Sequence, residues 1–127
     1  VMGDFNDGPY DKSLSEVLQA QTKYDTPGPG AMVNLAAGYE LSHPEGSHKF
    51  RGEWNMLDQI IVSGNLLDGS GRMLTGRPCF SVFAPSFLLT EDKRFAGTEP
   101  FRTYKGPVYQ GGFSDHLPVM TDLFFIK

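Results

Sequence analysis

Glycine and proline set the outer limit on what this chain can fold into. Fifteen glycines and nine prolines fall within 127 residues. Each tends to end or bend a regular element, glycine through backbone freedom and proline through its fixed φ and missing N–H donor. Short elements joined by many loops are therefore expected, and long helical bundles are not. The length matches one domain, enough to bury a core but with no room for a second.

Within that punctuation, Val1-Met2-Gly3 reads as the end of a strand feeding a loop from Asp4 to Asp11, where Asn6-Asp7-Gly8-Pro9 is dense in turn formers. A short helix follows, with Ser13-x-x-Glu16 as a capping box and Leu14, Val17 and Leu18 on one face. Thr26-Pro27-Gly28-Pro29-Gly30 then breaks the chain, Ala31 to Ala37 is expected to make a helical turn, and His43 to Lys49 an exposed polar loop. The run Leu57 to Val62 is the clearest strand, being rich in β-branched residues and followed by Gly64-Asn65. A weaker strand is expected over Cys79 to Phe83 and a long loop over Pro100 to Phe113. The closing strand, Leu117 to Ile126, is apolar on both faces apart from Thr121 and Asp122, as in a central or inter-layer strand.

The formal net charge is −4, which offers no general attraction to a nucleic-acid backbone and weighs against a DNA-coating module. An enzyme that meets phosphate through a bound cation remains compatible, because the metal supplies the local positive charge. The single Cys79 excludes an intrachain disulfide and a multi-cysteine zinc site, and fits a small buried hydrophobe. No apolar run approaches the roughly twenty residues of a membrane helix, so stable membrane insertion is not expected. The chain opens on what reads as the tail of a strand, so the natural protein is expected to continue upstream. Its compartment is left open, a signal peptide upstream being what would place it outside the cytoplasm.

Three polar clusters each sit at the end of an apolar strand: Asp4 with Asn6, then Asp58, then Asp115 with His116. The last pair lies on the loop Gly111 to Pro118, where a catalytic pair and a solvated turn would look alike. Asp58, inside Met56-Leu57-Asp58-Gln59-Ile60-Ile61, needs a partner because a buried carboxylate is costly alone. A histidine would satisfy it, and an Asp–His pair fixes the imidazole tautomer and raises its basicity. Asp4 and Asp115 are hard oxygen ligands suited to Mg²⁺ or Mn²⁺. Asn6 can donate to a phosphate oxygen or orient a water without adding charge. Together these parts describe metal-assisted hydrolysis of a phosphoester.

Gly3-Asp4-Phe5-Asn6, Leu57-Asp58-Gln59-Ile60 and Ser114-Asp115-His116-x-Pro118 also resemble, in order, the three C-terminal motifs of the endonuclease/exonuclease/phosphatase superfamily. That resemblance implies an α/β (α+β) fold, the C-terminal half of a four-layer α/β/β/α sandwich, with one mixed β-sheet and short helices on its outer face. It implies that residues 1–127 are the C-terminal portion of one such domain, whose N-terminal half supplies an asparagine, a metal-binding glutamate and a tyrosine or histidine. It further implies that Asp4 orients or deprotonates the attacking water near the metal and that Asn6 contacts the scissile phosphate. By the same resemblance Asp58 orients His116, His116 binds a phosphate oxygen as it gains charge, and Asp115 assists metal binding. Such a half-site would be inactive alone, and its inner sheet face would be covered by the N-terminal half or by self-association.

Other residues carry weaker signals. Trp54, four residues before Asp58, is either core or a substrate-stacking platform. Arg102 and Lys105 rank ahead of Arg51 as phosphate contacts because they share an aromatic loop with Tyr104 and Tyr109, and that loop is the expected selector of substrate. His43 and His48, flanking Glu45, are expected to be exposed rather than metal-bound. Nuclease, phospholipid or inositol-phosphate phosphatase and other small phosphodiesterase readings stay open, the acidic balance leaning away from long nucleic acid. A catalytically silent scaffolding module with the same sandwich is the non-enzymatic alternative, disfavoured because a degenerate site has no physical reason to keep five polar residues at strand ends.

Overall fold

The computed structural model describes residues 1–23, 27, 28, 30–43 and 45–126. Thr26 and Pro29 of the expected break, and Pro44 of the expected polar loop, lie outside the described residues. Strand β1 (Met2–Asp4) pairs antiparallel with β5 (Asp58–Ser63), which takes β2 (Met32–Asn34) on its other edge. Strand alternation then gives β5 two buried faces. Ile60 joins a cluster with Leu35, Ala36, Met56 and Phe80, while Ile61 joins Leu14 and Ala20 in another. Burying each isoleucine contributes about 1.5–3 kcal/mol, which is why this six-residue strand is the centre of the fold.

The remaining strands form two-stranded antiparallel ladders: β3 (His48–Phe50) with β4 (Glu53–Asn55), β6 (Met73–Leu74) with β13 (Phe124–Phe125), and β7 (Phe80–Val82) with β12 (Val119–Thr121). Two hairpins complete the set, β8 (Leu89–Glu91) with β9 (Thr98–Pro100) and β10 (Tyr104–Lys105) with β11 (Val108–Tyr109). Val82 and Val119 pack on the cluster that holds Ile60, bringing the β7–β12 ladder against β5. Helical structure among the described residues is confined to single turns, a π-type turn at Ser13–Val17 and 3₁₀ turns such as Tyr39–Leu41 and Ser86–Leu88. The fold is thus mostly strand with few helices, in the α+β class.

Several expectations are corrected. In place of one mixed sheet there is a three-stranded sheet and a set of two-stranded ladders, all the named pairs antiparallel. The closing strand is two strands, because the chain leaves β7 after Thr121 and takes up β6 at Phe124. Ser13 caps nothing: Lys12 precedes the turn, and the Ser13 hydroxyl donates to Asp7 Oδ2 instead. Val17, assigned to the buried face, is 82% exposed, since a single turn buries only Leu14. The alanine-rich run from 31 begins as strand β2, where pairing with β5 overrides local helical propensity. Cys79 is half-buried in a 3₁₀ turn just before β7.

The expected loop from His43 to Lys49 ends in strand β3, part of a hairpin whose turn residues Arg51 (φ 51°) and Gly52 (φ 92°) are both left-handed, the geometry that matches strand twist in a two-residue hairpin. The aromatic loop from Pro100 to Phe113 likewise contains the β10–β11 hairpin. No helix among the described residues is long and apolar enough to cross a membrane.

Strand β3 is held from behind by a buried ion pair. Lys49 Nζ lies 2.9 Å from Asp92 Oδ2 and donates at 3.0 Å to the carbonyls of both Ala96 and Thr98. Asp92 Oδ1 accepts the backbone N–H groups of Arg94 and Phe95. Every proton of the ammonium has an acceptor, which is the condition for burying such a pair without a large desolvation penalty. The Lys49 ammonium, followed by those backbone donors, holds the Asp92 carboxyl at about 2, below its ordinary 3.8. The folded form is therefore the stronger acid, so this stabilisation is complete above pH 3.8 and is lost as pH falls through about 2. Thermal melts across that interval should fall more steeply for the wild type than for Asp92→Asn, and parallel curves would refute the assignment.

Candidate functional site

The site forms where β1, β3, β5 and the segment before β12 converge. Cross-strand register places Asp4 directly opposite Asp58. On the other side, His48 and His116 form an antiparallel bridge, with ring centroids 4.6 Å apart and planes tilted by 32°. The imidazole Nδ1–H of His116 donates to Asp58 Oδ2 at 2.6 Å, both side chains being partly buried. This is the partner that a carboxylate in that strand requires, and it fixes the imidazole with Nε2 as its remaining nitrogen.

Ser47, fully buried, holds the two sides together. Its hydroxyl accepts the backbone N–H groups of Leu57 and Asp58 at 3.2 and 3.0 Å, and its carbonyl accepts that of Leu117 at 2.7 Å. Gly46 permits the approach, since a Cβ there would run into the Asn55 carbonyl. Gly112 plays the same part for the Ser114-Asp115-His116 loop, where a Cβ would collide with the Phe101 carbonyl. Ser114 Oγ then accepts the His116 backbone N–H at 3.0 Å.

The loop after β1 is anchored from beneath by Gln59, which is 0% exposed. Gln59 Nε2 donates to the Asp7 carbonyl, and its Oε1 accepts from Asn34 Nδ2, another fully buried group. Asn34 Oδ1 in turn accepts the Ala36 N–H at 3.0 Å. At the surface Asp4 Oδ1 accepts the Asn6 N–H at 2.8 Å, with Asn6 in a left-handed conformation (φ 54°) that asparagine tolerates better than most residues.

Two groupings bring candidate metal-ligating atoms within 4.8 Å of one another: Asp4, Asp58 and His116, and His48, Asp115 and His116. Burial lowers the His48 pKa from 6.5, the neighbouring His116 and Arg102 act in the same direction, and Asp115 and Asp4 oppose them. His48 was expected to be solvent-exposed and is instead half-buried against His116. His43 does stay exposed, stacked on Tyr39 at 4.0 Å. The Arg51-Gly52 turn closing β3 was the available sequence signal for His48.

The structure thus brings together Asp4, Asp58, Asp115 and His116, with Asn6 beside them on the surface. Trp54 is half-buried on β4, 5.9 Å from Lys49 Nζ, and borders a shallow hollow with Gly8, Tyr10 and Met56 next to the Asp4 loop. Arg102 lies near enough for its charge to act on His48, and its Nε is buried without a hydrogen-bond partner among the described residues. Lys105 is engaged by Glu99 at 2.7 Å, and Tyr109 packs on Tyr104 at 5.4 Å across the β10–β11 hairpin. Neither makes a described contact with the Asp58–His116 pair. A different aromatic series reaches the site: Phe83, Phe87, Phe113 and Phe101 meet edge to face, and Phe113 immediately precedes Ser114.

A family model for the endonuclease/exonuclease/phosphatase family matches residues 1–124. The chain belongs to that family, a superfamily of phosphoester hydrolases that commonly use divalent metals. No curated protein and no solved structure matches it.

Removal of the Gln59 amide tests the anchoring of the Asp4 loop. Gln59→Leu removes the partner of the buried Asn34 amide and of the partly buried Asp7 carbonyl and should lower unfolding free energy by about 1–3 kcal/mol. Gln110→Leu, at an exposed position, should stay within about 0.5 kcal/mol. Urea titration reads both, and equal midpoints would show that the network anchors nothing.

Proposed function

We propose that this chain supplies one half of the active site of a divalent-metal-dependent phosphoester hydrolase. The carrying observation is the 2.6 Å bond between Asp58 and His116, with Asp4 directly across the strand pair from Asp58. The donor set fits Mg²⁺ or Mn²⁺, because Asp4 and Asp115 are exposed carboxylates and Asp4 lies within 4.8 Å of further ligand atoms. Bound there, the ion would neutralise developing charge on phosphate and lower the pKa of a coordinated water.

The chain's own residues do the rest of the work. Asp58 fixes the His116 tautomer, so that Nε2 can meet a phosphate oxygen as negative charge grows. Asp4 orients the attacking water and accepts its proton, Asp115 assists in holding the metal, and Asn6 donates to the scissile phosphate. Arg102 is the second phosphate contact, supported by the reach of its charge to His48 and by a buried Nε without a described partner. Trp54 borders the outer edge of the Asp4 loop, where a substrate group could stack. Lys105 and Tyr109, on their hairpin, contribute farther out.

The complementary half is proposed to come from an N-terminal segment of the same domain, completing a four-layer sandwich, or from self-association of this chain. Exposed apolar residues support a covered surface: Val1 and Met2, at the start of the outer strand of the three-stranded sheet, are 78% and 73% exposed, and Phe125 on the β6–β13 ladder is 81% exposed. Sedimentation should find the 127-residue chain self-associated, a clean monomer counting against that surface.

With Mg²⁺ or Mn²⁺ and bis(p-nitrophenyl) phosphate, the isolated chain should show negligible turnover, while the protein containing both halves hydrolyses it. His116→Ala in that protein should reduce kcat by about 10²–10⁴-fold with the fold intact by circular dichroism. Robust hydrolysis by the isolated chain would overturn the half-site, and a silent complete protein would overturn the hydrolase.

A further inference from the structure

His48 stands outside the three motifs that carry the hydrolytic reading, yet its ring lies against His116. The pairing is built by backbone: the two residues form a cross-strand bridge, and Leu117 N–H bonds to the Ser47 carbonyl at 2.7 Å beside it. The two imidazoles are therefore held by main chain and not brought together by chance rotamers.

Three further observations bear on what occupies the space between them. Asp58 engages Nδ1 of His116, which leaves Nε2 as that ring's free nitrogen and gives it the carboxylate support typical of metal-binding histidines. His48 Nδ1 is buried with no hydrogen-bond partner among the described residues, a state that costs free energy until an ion, water or ligand satisfies it. Asp115 completes a set of two imidazoles and one carboxylate whose ligand atoms lie within 4.8 Å of one another.

We propose that His48, Asp115 and His116 form a binding site for a borderline first-row transition ion, with Zn²⁺ the best-matched probe. Two nitrogens and one oxygen suit Zn²⁺, whereas Mg²⁺ selects all-oxygen surroundings and holds its water tightly. The site shares His116 with the Asp4 grouping and differs from it in taking His48 and Asp115 as its other two ligands. It does not depend on the chain being a hydrolase, since binding alone is claimed.

Metal-stripped protein is titrated with Zn²⁺ against a chromophoric chelator, without substrate. One Zn²⁺ per chain is expected, retained in a large excess of Mg²⁺. His48→Ala and Asp115→Asn should each weaken it by at least about tenfold, while exposed His43→Ala leaves it unchanged. Long-range ¹H–¹⁵N spectra of the wild type provide a second readout independent of variant folding: Zn²⁺ should shift the ring nitrogens of His48 and His116 and leave those of His43 in place. Absence of stoichiometric Zn²⁺ binding overturns the proposal. So does binding that survives His48→Ala but is lost in Asp4→Asn, or a spectrum in which His48 does not respond.

Discussion

Ser47 is the constraint on which the site rests. One buried residue accepts the N–H groups of Leu57 and Asp58 on its hydroxyl and that of Leu117 on its carbonyl. The start of β5 and the end of the Ser114-Asp115-His116 loop are thereby fixed to the same point, although they are 58 positions apart in sequence. The short Asp58–His116 contact follows from that tether. Without it, each side chain would sit at the end of its own strand with no reason to find the other.

Around this point the fold repeats one device, a buried polar group with its valences filled that joins segments distant in the chain. Gln59 and Asn34 join β5, β2 and the loop after Asp4. Lys49 and Asp92 join β3 to the β8–β9 hairpin. Such groups have defined geometry and heavy penalties for misplacement, so they select one arrangement where a purely apolar contact would tolerate many. The apolar contribution is supplied by β5, whose alternating Ile60 and Ile61 anchor clusters on opposite faces. A chain cut so often by glycine and proline has few long elements to set register, and the polar stitches take over that task.

Legibility in the sequence follows the range of the interaction concerned. The strand near Leu57 to Val62 could be read because β-branched residues and a following Gly64 are local signals, and the structure shifts it by a single residue to Asp58–Ser63. The need of Asp58 for a partner was equally local, a charge within an apolar run. By contrast, β2 lies in an alanine-rich stretch that local propensity assigns to helix, and only its pairing with β5 makes it a strand. Val17 misled because a helical pattern was extended past the single turn that forms. The loop before β3 misled most, since Ser47, His48 and Lys49 are polar by type and buried or half-buried by position.

By itself the sequence determined the chemistry on offer: strand-end carboxylates and a histidine in three ordered motifs, the strand that carries Asp58, and the glycines that let loops turn. Those follow from residue type and nearest neighbours. Tertiary structure alone decided which groups meet. It put Asp4 across from Asp58, brought His48 against His116, set Arg102 within electrostatic reach of His48, and left Lys105 to Glu99 and Tyr109 to Tyr104. The physical reason is that these contacts depend on strand register and on buried hydrogen bonds between residues tens of positions apart, which no local pattern encodes.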